Sequence, residues 1–338
     1  MPRLVLRKKK TLPKRKVKVR IRRKALRKPR VVPPAGPVGG DLYNGGYDDG
    51  YNKGFNKGHE EGYQQGKYDG EGRNEWRDGV DGLIDTFLPE YEILPDFTAE
   101  QILAAGVESL RPQWRHLLNP DEIAGRILHA LDTRTPFSLV RVGDGEVLAL
   151  AQGTVLSVEQ VREQGSFLGY AGIDVPDYEA RDQLKEAIRQ ASVVGIPKLR
   201  VRNFQPLALS SFKANGIDHG SLTLTDSLIN YYLYQTGYMS RILRGRRVLI
   251  AGKLGEPLAD YMRTNGINVT AVVSPVEGVK DVPRVMEEIA ARDFDIALVA
   301  AGIAAVLISQ RIATQLGKVA IDFGHLANAM INGEAPFK

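Results

Sequence analysis

Cysteine is absent from the 338 residues of this chain. Disulfides, thiolate metal sites and a cysteine nucleophile are therefore excluded, and the composition fits a reducing compartment. The sequence also lacks any apolar run near the roughly 20 residues that cross a bilayer. Its basic N-terminal stretch is followed by proline and glycine, where a signal peptide would have an apolar region. We therefore expect a cytoplasmic protein with no transmembrane segment.

Acidic residues are missing from the first 30 positions, which contain 16 Lys or Arg. The remaining chain has 30 basic and 40 acidic residues, a net charge of −10. The 16 positive charges of the first 30 residues raise the net charge of the whole chain to +6. Residues 1–40 are predicted to be a disordered basic tail with a Pro/Gly linker. The tail favours an anionic partner such as nucleic acid, an acidic lipid surface or an acidic polymer. A merely solubilising tail is the alternative.

A four-residue repeat follows the tail, with glycine at every fourth position from Gly46 to Gly70 and Tyr or Phe opening most units. On a helix this period would line the glycines along a slowly winding groove beside an aromatic ridge. Glycine costs about 1 kcal/mol per helical position relative to alanine, which argues against an isolated helix. We predict that this Tyr-x-x-Gly segment, residues 41–82, orders only on self-association or on a partner; disorder is the alternative.

Residues 98–338 have the patterning of a folded domain. A helix is predicted from Pro120, with Asn119 as its N-cap, and a short helix from Glu146. A continuous helix is predicted after a cap at Thr225 or Asp226. Strands and helices alternate regularly from Arg246 onward. This alternation predicts an α/β fold, a Rossmann-like parallel sheet with flanking helices and right-handed crossovers. The predicted strands lie at 137–142, 192–197, 246–252, 268–274, 295–302 and 318–324.

Polar and glycine residues follow these predicted strands. Because the carboxyl ends of parallel strands meet at one edge of a sheet, we expect these residues to line one crevice. His325 is interpreted as a nucleotide contact, metal ligand or proton carrier, or else as a structural histidine capping the last helix. Asp226 is a further candidate, for which helix capping is the favoured interpretation. The strand-end candidates are Arg141, Gly143, Asp144, Gly145, Glu146, Gly252, Ser274, Gly302, Asp322 and His325.

Asp144 and Glu146 are two residues apart, so an extended backbone would point both carboxylates to the same side. Paired carboxylate oxygens suit Mg²⁺ or Mn²⁺, and Arg141 could add a bidentate phosphate clamp. On the local pattern alone, a solvated Asp-Gly hairpin turn is the preferred interpretation. The segment after the 246–252 strand matches a dinucleotide-binding motif poorly, and no ribose-binding acid follows the next strand, so NAD binding is disfavoured.

Four segments of this sequence resemble the GT-D-type glycosyltransferases, a bacterial family with a Rossmann-like fold: FSLVRVGDGE, TDSLINYYL, VLIAG with the following SP, and ALVAAGIAAVLISQRIATQLGKVAIDFGHL. The similarity covers about residues 121–330. It implies that Asp144 and Glu146 are a catalytic, metal-binding Asp-x-Glu pair and that Arg141 is the arginine preceding it. It also implies a nucleotide-sugar donor, typically a UDP-sugar, and transfer of the sugar to a hydroxyl of a glycan or glycoprotein.

Inverting transfer also needs a general base, for which His325 and Asp226 are the candidates. The segment from Lys253 to Pro257 departs from the Ser-Arg-containing glycine loop of the family. Together with the repeat, this departure supports the alternative of a catalytically inactive scaffold or surface-assembly protein with a degenerate transferase domain.

Overall fold

A computed structural model of the protein describes residues 72–200 and 204–337, with side chains from Gly79 onward. The chain divides into two compact units, one ending at Ser109 and the other beginning at Leu110. The predictions for the basic tail and for the repeat up to position 71 lie outside the described residues.

Two helices form the described part of the N-terminal unit, α1 (Gly72–Asp85) and α2 (Ala99–Ser109). Thr98 caps α2: its hydroxyl accepts a hydrogen bond from the Gln101 amide at 3.2 Å, and its own amide donates to the Gln101 side chain at 2.8 Å. Among residues 79–109, Ala99 alone is buried. These two helices therefore have almost no core of their own within the described residues.

The second unit is built on a seven-stranded parallel sheet, which confirms the predicted α/β fold. Its strand order is β3-β2-β1-β7-β6-β4-β5. The strands are β1 (Phe137–Arg141), β2 (Val193–Ile196), β3 (Leu224–Asp226), β4 (Val248–Gly252), β5 (Val269–Val273), β6 (Ile296–Ala300) and β7 (Val319–Asp322). The helices are α3 (Pro120–Thr133), α4 (Asp144–Ala151), α5 (Val158–Gln164), α6 (Tyr178–Gln190), α7 (Phe204–Ala214), α8 (Ile229–Gln235), α9 (Tyr238–Leu243), α10 (Gly255–Thr264), α11 (Val282–Ala290), α12 (Ala304–Leu316) and α13 (Leu326–Ile331).

Helices cover both faces of this sheet. Successive residues of a strand point to opposite faces, and in these strands the residues on each face are apolar. Along β1, Val140 packs into a core with α4, α5, α6, α7, α11 and α12. Its neighbour Leu139 packs into a second core with α3, α8, α9, α10 and α13. The chain that leaves β1 therefore enters α4 on one face of the sheet. The chain that leaves β7, the last strand, enters α13 on the other face. A crevice opens between adjacent strands whose connections diverge in this way.

The continuous helix predicted after position 225 is wrong. Leu224–Asp226 form the edge strand β3, and the following chain makes two short helices separated at Gly237, whose φ is +77°. Thr225 is fully buried in this strand and donates from its hydroxyl to the Leu118 carbonyl at 2.7 Å. Pairing with β2 thus outweighs the local capping pattern. The predicted helix at Glu146 also begins two residues earlier, at Asp144.

None of the described helices combines the length and the apolar character needed to cross a membrane.

The start of α3 is a capping box, as the Asn-Pro-Asp-Glu pattern predicts. The Asn119 side chain accepts from the Glu122 amide at 3.0 Å, and the Asn119 amide donates to the Glu122 carboxylate at 2.8 Å. Two of the amide groups at this helix end, those of Asn119 and Glu122, are therefore satisfied.

Replacing the cap residue tests its contribution. We expect Asn119→Ala to lower the free energy of unfolding by about 1 kcal/mol, because the Glu122 amide loses its acceptor. Urea denaturation measures the loss. Asn119→Ser retains a capping oxygen and serves as the control; equal losses in both variants would contradict the assignment.

Candidate functional site

An ion pair between Arg141 and Asp322 joins the ends of the adjacent central strands β1 and β7. Arg141 Nη2 lies 2.9 Å from Asp322 Oδ1, and the two side chains are 15% and 4% exposed. The Arg141 Nε also donates to the Asp322 carbonyl at 3.1 Å. The sequence predicted both residues as candidates, and the structure places them in direct contact.

Two residues that the sequence analysis did not single out complete the surroundings of Arg141. Its Nη1 donates to the Ser227 carbonyl at 3.1 Å and to Asn230 Oδ1 at 3.3 Å. Asn230 is fully buried in α8, and its amide donates to the Phe323 carbonyl at 2.9 Å. The sequence signal for Asn230 was an asparagine among the apolar and aromatic residues at the start of α8. Since Arg141 makes four hydrogen bonds inside the protein, at most one Nη2 hydrogen is left for a ligand phosphate.

Gly324 leaves the space that the Arg141 guanidinium occupies. Its φ is +54°, and a Cβ placed there would overlap Arg141 Nη2. A side chain at this position would therefore meet both backbone strain and a direct clash.

Glu146 sits at the third position of α4, and its Oε2 accepts a hydrogen bond from the Gly143 amide at 2.8 Å. Burial raises the pKa of Glu146 to about 7, and the negative charge of Asp322 adds to this increase. The hydrogen bonds from its own amide and that of Gly143 and the charge of Arg141 act in the opposite direction. Burial likewise raises the pKa of Asp322, although Arg141 opposes that shift.

Asp144 opens α4 as an exposed residue, and its Oδ1 accepts from the Gly145 amide at 2.9 Å. The extended geometry predicted for Asp144 and Glu146 is therefore wrong, and so is the hairpin-turn alternative. On a helix, residues two apart are rotated by about 200°. Glu146 turns back over the helix start, while Asp144 faces solvent. The Glu146 carboxylate accepts from the Gly143 amide as Glu122 does from Asn119 in α3, but glycine has no side chain to cap the helix in return.

His325 follows β7 and lies near two carboxylate groups of the cluster, those of Asp144 and Asp322. Burial lowers its pKa, and the Arg141 charge lowers it further, whereas the charges of Asp144 and Asp322 raise it. His325 is therefore electrostatically coupled to Asp144 as well as to the ion pair. The structure brings together five predicted residues, Arg141, Asp144, Glu146, Asp322 and His325, which we call the strand-end cluster.

Asp226 and Ser274 lie at opposite edges of the sheet. Asp226 ends the edge strand β3 and accepts from the Leu228 amide at 3.0 Å, so it stabilises a turn and does not cap a long helix. Ser274 follows the other edge strand, β5, and its hydroxyl donates to the Lys253 carbonyl at 3.4 Å. With strands about 4.8 Å apart, β5 is roughly 19 Å from β1. The single crevice expected from the sequence therefore does not include Ser274.

Gly252 and Gly302 are required by close approaches of the backbone. A Cβ on Gly252, at the end of β4, would overlap the Ala300 carbonyl oxygen. A Cβ on Gly302, where φ is +55°, would lie 2.5 Å from the Ala171 carbonyl oxygen. Close contacts between backbone segments therefore explain why glycine occupies positions 252 and 302.

The loop around Ala171 is also bound to the loop after β5. The Ile303 amide donates to the Ala171 carbonyl at 3.1 Å, and the Val279 amide donates to the Gly172 carbonyl at 2.9 Å. A Cβ on Gly172, where φ is +91°, would lie 2.5 Å from the Cα of Gly278. We call this contact of three loops the glycine seam.

The strand-end cluster has the donor chemistry of a site for a hard divalent cation. Asp144 and Glu146 offer carboxylate oxygens, and Mg²⁺ takes one or two such ligands and fills its other positions with water and ligand phosphates. No group of three or more His, Asp or Glu side chains suited to a metal occurs in the described part of the chain. With only these two carboxylates, most positions around a cation would be left to water and ligand phosphates, and metal binding by Asp144 and Glu146 stays a prediction.

The raised pKa of Glu146 predicts a pH-dependent stability. Between pH 4.5 and about 7 the folded protein retains a proton that the unfolded chain releases, so stability falls as pH rises through this window, by up to about 3 kcal/mol. Glu146→Gln removes this loss. We therefore expect the variant to gain stability relative to wild type between pH 5 and pH 8, measured by urea denaturation in EDTA.

Glu122→Gln is the matched control, since Glu122 occupies the same capping-box position in α3. Hydrogen bonding to Asn119 lowers the pKa of Glu122, so its stabilisation is present at pH 8 and is lost as pH falls. This substitution should therefore cost stability mainly at high pH. The same trend in both variants would refute the assignment for Glu146.

Gly324→Ala tests whether glycine is needed at position 324 to leave space for the Arg141 guanidinium. Gly317→Ala is the control, because Gly317 has a φ of +65° but no neighbouring atom within 4 Å of a new Cβ. The control should lose about 1 kcal/mol of stability from backbone strain alone. Gly324→Ala should lose about 1–3 kcal/mol more, from the overlap with the guanidinium. Equal losses in urea denaturation would show that Arg141 moves away freely.

Comparisons with known proteins give the following matches. A structure described as a selenomethionine-substituted domain of unknown function 1792 is 17% identical with a TM-score of 0.44, over 66% of this chain and 83% of that chain. A second structure of domain of unknown function 1792, described as highly conserved and having a distinct glycosyltransferase fold, is 15% identical with a TM-score of 0.42 over the same shares. Curated proteins give no significant match. The family model for the GT-D fold-like domain matches residues 118–330, well over half of the chain, and this protein therefore belongs to the GT-D-like family.

Proposed function

We propose that this protein is a metal-dependent glycosyltransferase. In this proposal it takes the sugar of a nucleotide-sugar donor, in particular a UDP-sugar, and transfers it to a hydroxyl of a glycan or glycoprotein. Membership of the GT-D-like family supports the general activity. The observation that carries the proposal is the strand-end cluster, in which Asp144 and Glu146 lie beside the Arg141–Asp322 pair where the connections of β1 and β7 diverge.

Asp144 and Glu146 would hold Mn²⁺ or Mg²⁺ in this proposal. A divalent cation there supplies positive charge to a leaving nucleoside diphosphate. The charge balance of the cluster supports this assignment, because Glu146 and Asp322 share the one guanidinium of Arg141, and Asp144 adds a third carboxyl group near His325. A bound cation would lower the pKa of Glu146 and keep its carboxylate ionised at neutral pH.

The remaining residues have separate tasks. Arg141 holds the ends of β1 and β7 together and positions Asp322, with one hydrogen available to the donor. His325 is our candidate for the base that takes the acceptor proton: burial lowers its pKa, so the ring is neutral at pH 7 and has a nitrogen lone pair. Gly143 is our candidate for a backbone contact with the donor, whereas Gly145 is buried, with side-chain atoms of Ile303 and Phe167 3.6 Å from the position of a Cβ.

We place the enzyme in the cytoplasm of a bacterium. The absence of cysteine fits a reducing compartment, and the sequence resembles a bacterial family.

Isothermal titration of UDP-sugars with Mn²⁺ or with EDTA tests the proposal. Wild type and Glu122→Gln should bind the donor in the presence of Mn²⁺. Glu146→Gln keeps a capping side chain at this position but removes the charge, and we expect its metal-dependent affinity to fall about 10- to 100-fold.

Two outcomes would contradict this function. Donor binding that is independent of metal and unchanged in Glu146→Gln would remove the metal site. Failure to bind or turn over any donor in a broad panel of nucleotide sugars would favour an inactive scaffold.

A further inference from the structure

The N-terminal unit carries a concavity lined by both acidic and apolar side chains, which we call the acidic cleft. Its volume is about 390 Å³. Ile84 at the end of α1, Ile93 and Phe97 line its apolar part, and Asp81, Asp85 and Glu92 line its rim. The cleft lies entirely within residues 81–102, so its walls belong to one unit.

This region leaves many large apolar side chains exposed to water, which is unfavourable for two helices with no other partner. Phe87, Tyr91 and Ile93 are 78%, 90% and 82% exposed, and Leu83, Phe97 and Val107 are each more than half exposed. Two short helices with a single buried residue gain too little from burial to offset their ordering. Apolar patches of this kind mark surfaces that another chain segment covers.

The charge of this region indicates which segment of the chain covers its apolar surface. Residues 79–109 contain seven Asp or Glu and no Lys or Arg. Residues 1–30 contain 16 Lys or Arg and no acid, so the two stretches are opposite extremes of the same chain. An acidic surface attracts a basic partner, and residues 110–338, with 25 Lys or Arg and 24 Asp or Glu, are nearly neutral overall.

The basic stretch also has a matching apolar pattern. Residues 16–23 read KVKVRIRR, with Val17, Val19 and Ile21 alternating with Lys or Arg. In an extended chain this period of two places the three apolar side chains on one side and basic side chains on the other. Such a segment presents apolar groups to a cleft floor while its basic groups reach the rim.

We propose that residues 14–24 of this chain dock in extended form in the acidic cleft. Val17, Val19 and Ile21 contact the apolar floor formed by Ile84, Ile93 and Phe97, and the neighbouring Lys and Arg pair with the acidic rim. The anionic partner of the basic tail is then the protein's own N-terminal unit.

Chain length permits this docking. The segment is joined to α1, which forms one wall of the cleft, by roughly 50 residues. A 14-residue helix is only about 21 Å long, so such a connection is ample. Covalent linkage also raises the effective concentration of the segment at the cleft to the millimolar range.

Carbodiimide cross-linking of the full chain, followed by mass spectrometry, tests the contact directly. We expect links from Lys14, Lys16, Lys18 or Lys24 to the acids of the cleft. A mixture of isotope-labelled and unlabelled chains distinguishes docking within one chain, which we expect, from docking between two copies; links formed only between copies would contradict docking of the chain's own segment. Links from the tail only to acids beyond residue 109 would overturn it.

Trypsin provides a second measurement, because the tail contains its own cleavage sites. Cleavage between Lys16 and Arg23 should be roughly fivefold slower than cleavage at Lys8, Lys9 and Lys10 in the same chain. Protection should weaken in 0.5 M salt, where the charges are screened. Equal cleavage of the two stretches would overturn the proposal.

Substitutions in the tail keep the experiment independent of folding of the cleft. Val17→Ser, Val19→Ser and Ile21→Ser together retain every tryptic site and should abolish protection, whereas Leu4→Ser, Val5→Ser and Leu6→Ser should not. In the cleft, Asp85→Lys with Glu92→Lys should abolish protection, and Glu163→Lys with Glu287→Lys, an equal charge change elsewhere, should not. Protection that appears only with added nucleic acid or anionic vesicles would assign the tail to those partners instead.

Discussion

The contact between Arg141 and Asp322 is the constraint on which the candidate site depends. Removing both charges from water is costly, and the cost is offset only because the guanidinium makes four hydrogen bonds with good geometry. These bonds join the ends of β1 and β7 to the turn after β3 and to the start of α8. Gly324 is part of the same arrangement, since any side chain there would occupy the place of the guanidinium. Strand ends from both halves of the sheet are thereby held in one fixed relation.

This contact also explains the electrostatics around it. Arg141 is largely committed to Asp322 and to neutral acceptors, so Glu146 receives little compensation for its burial, and its pKa rises to about 7. Asp144 adds negative charge at the same helix start and acts on His325. The cluster thus has fewer positive than negative groups near neutral pH. A divalent cation is the simplest complement to such a deficit, which links the physical state of the site to the function we propose.

Much of this fold was predictable, because its elements are specified locally. The apolar runs predicted six of the seven strands, and the cap at Asn119 predicted the observed start of α3 at Pro120. The missed strand, β3, has three residues and depends on pairing with β2, which no local pattern reveals. The strand order is equally non-local, and so are the contacts of Arg141 with Ser227 and Asn230. The geometry of Asp144 and Glu146 was only partly open to prediction: a Glu at the third helical position can bond back to the N-cap amide, but Gly143 lacks the side-chain oxygen that completes a capping box.

The glycine seam has a consequence for how the sequence can vary. Gly172 and Gly278 pack against each other, and Gly302 packs against the Ala171 carbonyl, with less room at each contact than one methyl group needs. A change at one of these positions displaces a loop, and the displaced loop moves against the other two. Substitutions there are therefore epistatic: each becomes tolerable only after its neighbours have shifted. Relatives of this protein would be expected to alter the three loops as a set, by insertion or deletion, and seldom one residue at a time.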